Sequence, residues 1–281
     1  MLRSLVRRLT PQSVLDWKKK REFLAIPPLQ FNLDNLLPAK DVTLDRIFRN
    51  PDADRTWDAS LPKLQLFDVP DGTTGGVNPG DRRAVFYLVY HFRPRSLLEI
   101  GTHIGASTVH IASALKRLGE AGGAPPAGMV SVDIEDLNDP NQKLWLKYGV
   151  KHSPKEMADR IGVGSLVEFV TRPSLDYMAS CKRKFDFIFL DGDHIDKTVY
   201  QEVSAALNLL SPGGVILLHD YFPNMKPLWS NGVVLPGPVS ATERIRREGA
   251  RARVVPLGEL PWPTKCNSNV TSLALLTKEV A

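Results

Sequence analysis

Three short runs concentrate the residues able to do chemistry: Glu99-Ile100-Gly101-Thr102-His103-Ile104-Gly105-Ala106-Ser107-Thr108, Asp191-Gly192-Asp193-His194, and His219-Asp220. The last two follow apolar stretches, Phe185 to Leu190 and Val215 to Leu218, that read as buried strands. If those strands are neighbours, about 4.8 Å apart, carboxylates just beyond their ends converge on one point. An imidazole in the same rim titrates near neutral pH and can take the proton of an acceptor hydroxyl; a bound cation can stabilise the oxyanion instead. His194 is the first candidate for the base and His219 the second. Four polar, titratable groups behind two apolar strands are difficult to account for as packing.

The first run reads as strand, tight turn and helix start. A dinucleotide turn needs glycine two residues after the first, where backbone must approach the pyrophosphate. His103 occupies that place. Glu99-x-Gly101-x-x-x-Gly105 therefore fits a ligand with no pyrophosphate to seat, and the turn amides with the helix N-terminus suit a carboxylate.

Regular alternation of strands and helices must position these runs. Asp81 can cap a helix through Phe92, with Val85, Leu88, Val89 and Phe92 on one face. Strand Ser96 to Ile100 then leads into a helix from Ala106 to Leu118 that Gly119 stops, and strand Met129 to Ile134 follows. Ser153 with Glu156 forms a capping box, strand Leu166 to Val170 comes next, and a short helix starts at Ser174. Asp196 can cap the helix before the fifth strand, and Ser240 with Glu243 reads as a second capping box. Two final strands, Arg253 to Leu257 and Ser272 to Thr277, have no helix between them and so pair antiparallel. The expected fold is α/β, a Rossmann-like, mainly parallel seven-stranded sheet with helices on both faces, an antiparallel last strand and an N-terminal cap. Ligands of such sheets bind at the carboxyl ends of the strands.

Before this domain (residues 81–281) lie a proline-rich, irregular cap (23–80), with a short helix near Val42 to Phe48 and a loop over Asp71 to Gly80, and a basic amphipathic arm (1–22). The arm holds seven basic and two acidic residues, which equals the net charge of +5 of the 281-residue chain. A neutral body with a basic arm argues against a nucleic-acid groove and for a local contact, an anionic membrane surface or a packing helix. Two cysteines imply no disulfide framework, and the arm is too short and interrupted to span a bilayer. The expected location is cytoplasmic, with peripheral contact at the inner membrane face through the arm. The proline-rich cap offers a surface for a second copy.

Glu99-Ile100-Gly101 to Gly105-x-Ser107-Thr108, followed by Asp191-Gly192-Asp193-His194 and Gly213-Gly214-Val215, resembles the class I S-adenosylmethionine-dependent methyltransferases, most closely the bacterial small-molecule O-methyltransferases. The likeness covers residues 75–280. It implies S-adenosylmethionine as cofactor, with Glu99 and Gly101 beside its methionine part, Thr102, Gly105 and Ser107 completing the turn, Asp133 on the ribose hydroxyls, Ser174 at the adenine edge and Asp191 at the reacting end. It further implies O-methylation of a small-molecule or glycan hydroxyl, with Asp191 and Asp220 able to hold Mg²⁺ or Mn²⁺ together with His219 or Asp193. Phe222, Trp229 and Trp262 are expected to wall the acceptor. Methylation of nitrogen or carbon, and a scaffold that binds the cofactor without catalysis, are the competing readings, because fold alone does not fix the acceptor.

Overall fold

A computed structural model of the chain describes residues 20–67, 69, 76–122 and 128–279. The basic arm, apart from its last three residues, and positions 71–75 of the loop run lie outside these. Residues 20–24 are helical, and eight further α-helices follow among the described residues: α1 (Leu44–Phe48), α2 (Pro51–Leu64), α3 (Pro79–Phe92), α4 (Ala106–Gly122), α5 (Pro154–Ile161), α6 (Ser174–Ser180), α7 (Asp196–Leu209) and α8 (Gly237–Arg247). The strands are β1 (Ser96–Ile100), β2 (Gly128–Asp133), β3 (Val167–Thr171), β4 (Phe185–Leu190), β5 (Leu210–Leu218), β6 (Ala252–Pro256) and β7 (Ala274–Lys278).

They form one seven-stranded sheet in the order β3-β2-β1-β4-β5-β7-β6. Strands β1 to β5 are parallel, and β7 runs antiparallel to both β5 and β6, as the missing crossover helix requires. Side chains alternate across each strand, so one core lies on each face. Leu97, Met129, Phe187, Phe189, Val215, Leu217 and Leu275 face helices α1 to α5, whereas Leu98, Val130, Ile188, Ile216 and Leu276 face the layer that includes α7 and α8. Burial on both faces explains why β4 is apolar at five of its six positions.

Several local signals resolve differently from the sequence expectation. The capping box at Ser153 forms, with Ser153 accepting from the Glu156 amide and Glu156 accepting from the Ser153 amide. The second box does not, because Pro238 favours an earlier start and α8 begins at Gly237. Helix α4 runs past Gly119 to Gly122, and α7 has Ile195, not Asp196, at its N-cap. The proline-rich cap contains a regular 14-residue helix, α2, with Pro51 at its first position, where the missing donor costs nothing, and Pro62 in its last turn, where it costs one intrahelical bond. Helix α3 starts two residues before Asp81, with Asn78 as the cap that accepts from the Asp81 amide. That shift frees the Asp81 carboxylate for another use.

The cap is bound into the body through cation–ring contacts. Arg83 of α3 lies 4.2 Å from the Trp262 ring centroid and also covers Trp57 and Tyr87. Arg244 of α8 donates to the Phe23 and Ile26 carbonyls, fixing the chain's approach to the second face. Both arginines stack on aromatic faces while donating hydrogen bonds from the guanidinium, Arg83 through Nη2 to Asp54 and Tyr87, a combination that lysine cannot supply.

Candidate active site

Chain order reverses between β1 and β4, so the crevice beyond their carboxyl ends is the expected binding place. A cavity of about 520 Å³ opens there. Its wall takes residues from both β-strand ends, from the β1–α4 turn, and from Gly76 and Val77 at the end of the cap.

The turn depends on two glycines. Gly101 has φ of 99°, and a Cβ there would stand 2.2 Å from the Asp191 carbonyl oxygen. Its absence lets the end of β1 close on the end of β4, which brings the first motif against the second. Gly105, with φ of 80°, turns the chain into α4 beside Pro154. His103, also left-handed with φ of 44°, gives its amide to Asp133 Oδ2 at 2.8 Å, while the Glu135 amide donates to Oδ1 at 3.0 Å. Asp133 is thereby fixed at the carboxyl end of β2 on the pocket wall, with lone pairs remaining for hydroxyl donors.

Glu99 is not on that wall. It is fully buried beneath the turn, where Oε2 accepts from Thr108 and Ser131 at 2.5 and 2.6 Å, and Thr102 bonds Ser131 in turn at 2.6 Å. Burial pushes its carboxyl up to about 7, with bonds from Ser107, Ser131 and Thr108 opposing and the Asp191 charge reinforcing the shift. Glu99 therefore braces the strand–turn–helix junction. Thr102 and Ser107 do reach the wall, and so does Ser174, whose hydroxyl donates to Glu202 at 2.5 Å. Glu202 is a buried carboxylate in the helical run of α7, raised to about 7 by burial despite the Ser174 bond. Position on an apolar helix face is its only signal in the sequence, and it reads equally as core.

At the other end, side chains meet from three elements. His219 Nδ1 lies 2.8 Å from Asp191 Oδ1 and 3.6 Å from Asp220 Oδ2, and His194 Nε2 lies 3.3 Å from the same Asp220 oxygen. Asp220 holds a left-handed φ of 51° and accepts from Ser272 at 3.2 Å, so the end of β5 and the segment leading into β7 together aim its carboxylate. Burial would raise the Asp220 carboxyl, but the His219, His194 and Lys265 charges bring it below the usual range. Burial alone would lower His219; the Asp191 and Asp220 carboxylates more than offset that and hold it well above its ordinary value. Ligand atoms of Asp191, His219 and Asp220 all fall within 4.8 Å of one another, the spacing of a cation site. Asp193 is not part of this group, because its oxygens accept from the Ile195 amide and the Thr198 hydroxyl at 3.0 and 2.8 Å and shape its own loop.

Behind His219 stands a residue the sequence presented only as a helix cap. Asp81, 0% exposed, places Oδ2 3.4 Å from His219 Nε2. Nothing in local spacing links position 81 to position 219; only the packing of α3 against the sheet does. The aromatic residues expected over the acceptor are elsewhere. Trp262 donates from Nε1 to the Gly80 carbonyl at 2.9 Å inside the core, and Phe222 packs edge-on against Trp229 at 5.8 Å, none of the three lining the cavity.

Comparison with known proteins gives one family match and a set of structural likenesses. Residues 98–221 match the methyltransferase-domain family. A catechol O-methyltransferase of Niastella koreensis is 26% identical over 161 residues, which cover 55% of this chain and 62% of that protein. The match thus spans about three fifths of the relative's length. An O-methyltransferase from Bacillus cereus, solved with S-adenosylhomocysteine, superposes with a TM-score of 0.52 at 20% identity, covering 86% of this chain and 98% of that one. The S-adenosylhomocysteine-bound Podospora anserina methyltransferase PaMTH1 gives 0.51 at 19% identity, with 87% and 99% covered. These likenesses establish the fold.

Proposed function

We propose that this chain, which matches the methyltransferase-domain family over residues 98–221, seats a methyl donor and an acceptor in one crevice and transfers the methyl group of S-adenosylmethionine to a hydroxyl oxygen of a small molecule or glycan. The observation that carries this reading is the polarity of a single cavity, with the glycine turn and Asp133 at one end and Asp191, His194, His219 and Asp220 at the other.

In this reading the α4 N-terminus and turn amides receive the methionine carboxylate, Asp133 accepts from both ribose hydroxyls, and Ser174 stands by the adenine. The acceptor oxygen attacks the methyl carbon in line, a C–O bond forms, and the C–S bond breaks with its electron pair returning to sulfur. Alignment supplies much of the acceleration, because both reactants are held in attack geometry. His194 receives the hydroxyl proton. With Nε2–H directed at Asp220, its Nδ1 carries the basic lone pair, and the Asp220 carboxylate stabilises the imidazolium that results. His194 is the more open of the two histidines, 30% exposed in its side chain against 10% for His219.

The donor set also fits a divalent cation. His219 is buried, with Nδ1 2.8 Å from Asp191 and Nε2 3.4 Å from Asp81, and two carboxylates face the Nδ1 side. Asp191, His219 and Asp220 would hold Mg²⁺ or Mn²⁺, which as a Lewis acid lowers the acceptor hydroxyl's pKa. Incubation with labelled cofactor and a panel of hydroxylated acceptors tests the proposal. Labelled ethers are the expected products; label recovered only on nitrogen or carbon would overturn it.

A further inference from the structure

Asp81 is an unusual core residue. Its carboxylate is fully buried in the first turn of α3; Oδ2 accepts from Asn78 Nδ2 at 2.6 Å, and Oδ1 has no hydrogen-bond partner. An isolated carboxylate in such a place is costly, and the helix N-terminus offsets only part of the cost. What it faces is His219 Nε2, at 3.4 Å. The opposite nitrogen, Nδ1, looks toward Asp191 and Asp220 at 2.8 and 3.6 Å. Ligand atoms on adjacent corners of an octahedron with bonds of about 2.1 Å stand about 3.0 Å apart and opposite ones about 4.2 Å, so the Asp191 separation suits an edge of such a site and the Asp220 separation falls between edge and diagonal.

We propose that Asp81 is a positioning residue that holds Nε2–H of His219, leaving Nδ1 as a nitrogen ligand beside the Asp191 and Asp220 carboxylates, so that this chain selects a cation that accepts imidazole, such as Mn²⁺, over Mg²⁺. The inference rests on the cation-assisted part of the proposed function and narrows its choice of ion. Its chemistry is that of a carboxylate–imidazole–metal relay, in which the outer carboxylate fixes tautomer and ring orientation and makes the inner nitrogen a better donor. Mg²⁺ favours all-oxygen sets and gains little from the imidazole, whereas ions further along the divalent series gain more. A histidine at position 219 thus sets ion choice, and Asp81, 138 residues earlier in sequence and in contact only through the fold, enforces it.

The test uses the full chain with Mn²⁺ and Mg²⁺ as probes. Mn²⁺ is expected to bind at one site with a spin-echo spectrum modulated by a directly bound nitrogen, and His219→Asp is expected to abolish that modulation and to lower the ratio of Mn²⁺ to Mg²⁺ affinity about tenfold. Asp81→Asn should weaken Mn²⁺ about tenfold while leaving Mg²⁺ within about twofold, a split that a merely structural role would not produce. Mn²⁺ bound without nitrogen modulation, no Mn²⁺ binding, or equal losses for both ions in Asp81→Asn would each overturn the assignment. The spectrum of the unaltered chain decides the ligand set even if Asp81→Asn fails to fold. Calorimetry with S-adenosylmethionine on the same samples reads the cofactor claim separately.

Discussion

At the proposed donor end of the cavity the working parts are backbone: Gly101 lets two strand ends touch, Gly105 starts a helix, and the His103 and Glu135 amides fix Asp133. At the acceptor end they are side chains delivered separately, Asp81 from α3, Asp191 and His194 from beyond β4, and His219 and Asp220 from beyond β5. The difference teaches how each end tolerates change. A backbone device fails when a side chain is added, even one that removes no polar group. A side-chain cluster fails when a group is removed, and its loss can leave the fold and the donor untouched.

The largest expected effect comes from adding to the donor end. Gly101→Ala would place a methyl group against the Asp191 carbonyl at a position of positive φ, so the junction must open. Strain there is on the order of 1–3 kcal/mol before any displacement of β4 is included. We expect loss of S-adenosylhomocysteine binding in calorimetry together with a lowered denaturation midpoint; unchanged binding would break the comparison. Removing from the acceptor end comes next. His194→Ala should lower turnover about 10²- to 10⁴-fold, the usual range for a general base, with cofactor affinity unchanged in the same calorimetric titration. Asp133→Ala should do the reverse, raising the cofactor dissociation constant about 10- to 100-fold through the loss of charged hydrogen bonds worth ~1.5–3 kcal/mol each, while saturating cofactor restores most of the rate.

The smallest effect concerns pH. Glu99 is held up to about 7 by burial, above the ordinary carboxyl value, so the folded chain binds this proton more tightly than the unfolded one. Its stability contribution is full below the ordinary carboxyl range, is lost as pH rises toward 7, and stays absent above that. Glu99→Gln, which keeps an acceptor for Thr108 and Ser131, should flatten that dependence by on the order of 1–3 kcal/mol. Melting curves at pH 5 and pH 8 for both proteins check it, and an unchanged slope would show that Glu99 is ionised beneath the turn.

How far the sequence went follows the same division. β1 and β4 fall where their apolar runs ended, and the β1–α4 turn is legible because its glycines, its strand and its helix are contiguous. Spacing also excluded a pyrophosphate at His103. It did not separate Glu99 from the pocket wall, since adjacent residues in a strand point to opposite faces and the turn above decides which of them is covered. Asp196 reads as the cap of α7 and Asp193 as a possible cation ligand; Ile195 takes the cap position, and Asp193 turns to its own loop while Asp191 faces His219. With Asn78 in a loop, Asp81 reads as a cap; once Pro79 opens the helix, position 81 points into the core. Contacts between distant elements carry no local signature, which is why Asp81, Glu202 and the core position of Trp262 emerged only with the fold.

Calorimetric titration of the full chain with S-adenosylhomocysteine tests the central claim most directly. The account predicts binding at a single site that Asp133→Ala weakens about 10- to 100-fold and His194→Ala leaves unaltered. Absence of binding by both S-adenosylhomocysteine and S-adenosylmethionine, or binding indifferent to Asp133, would contradict it.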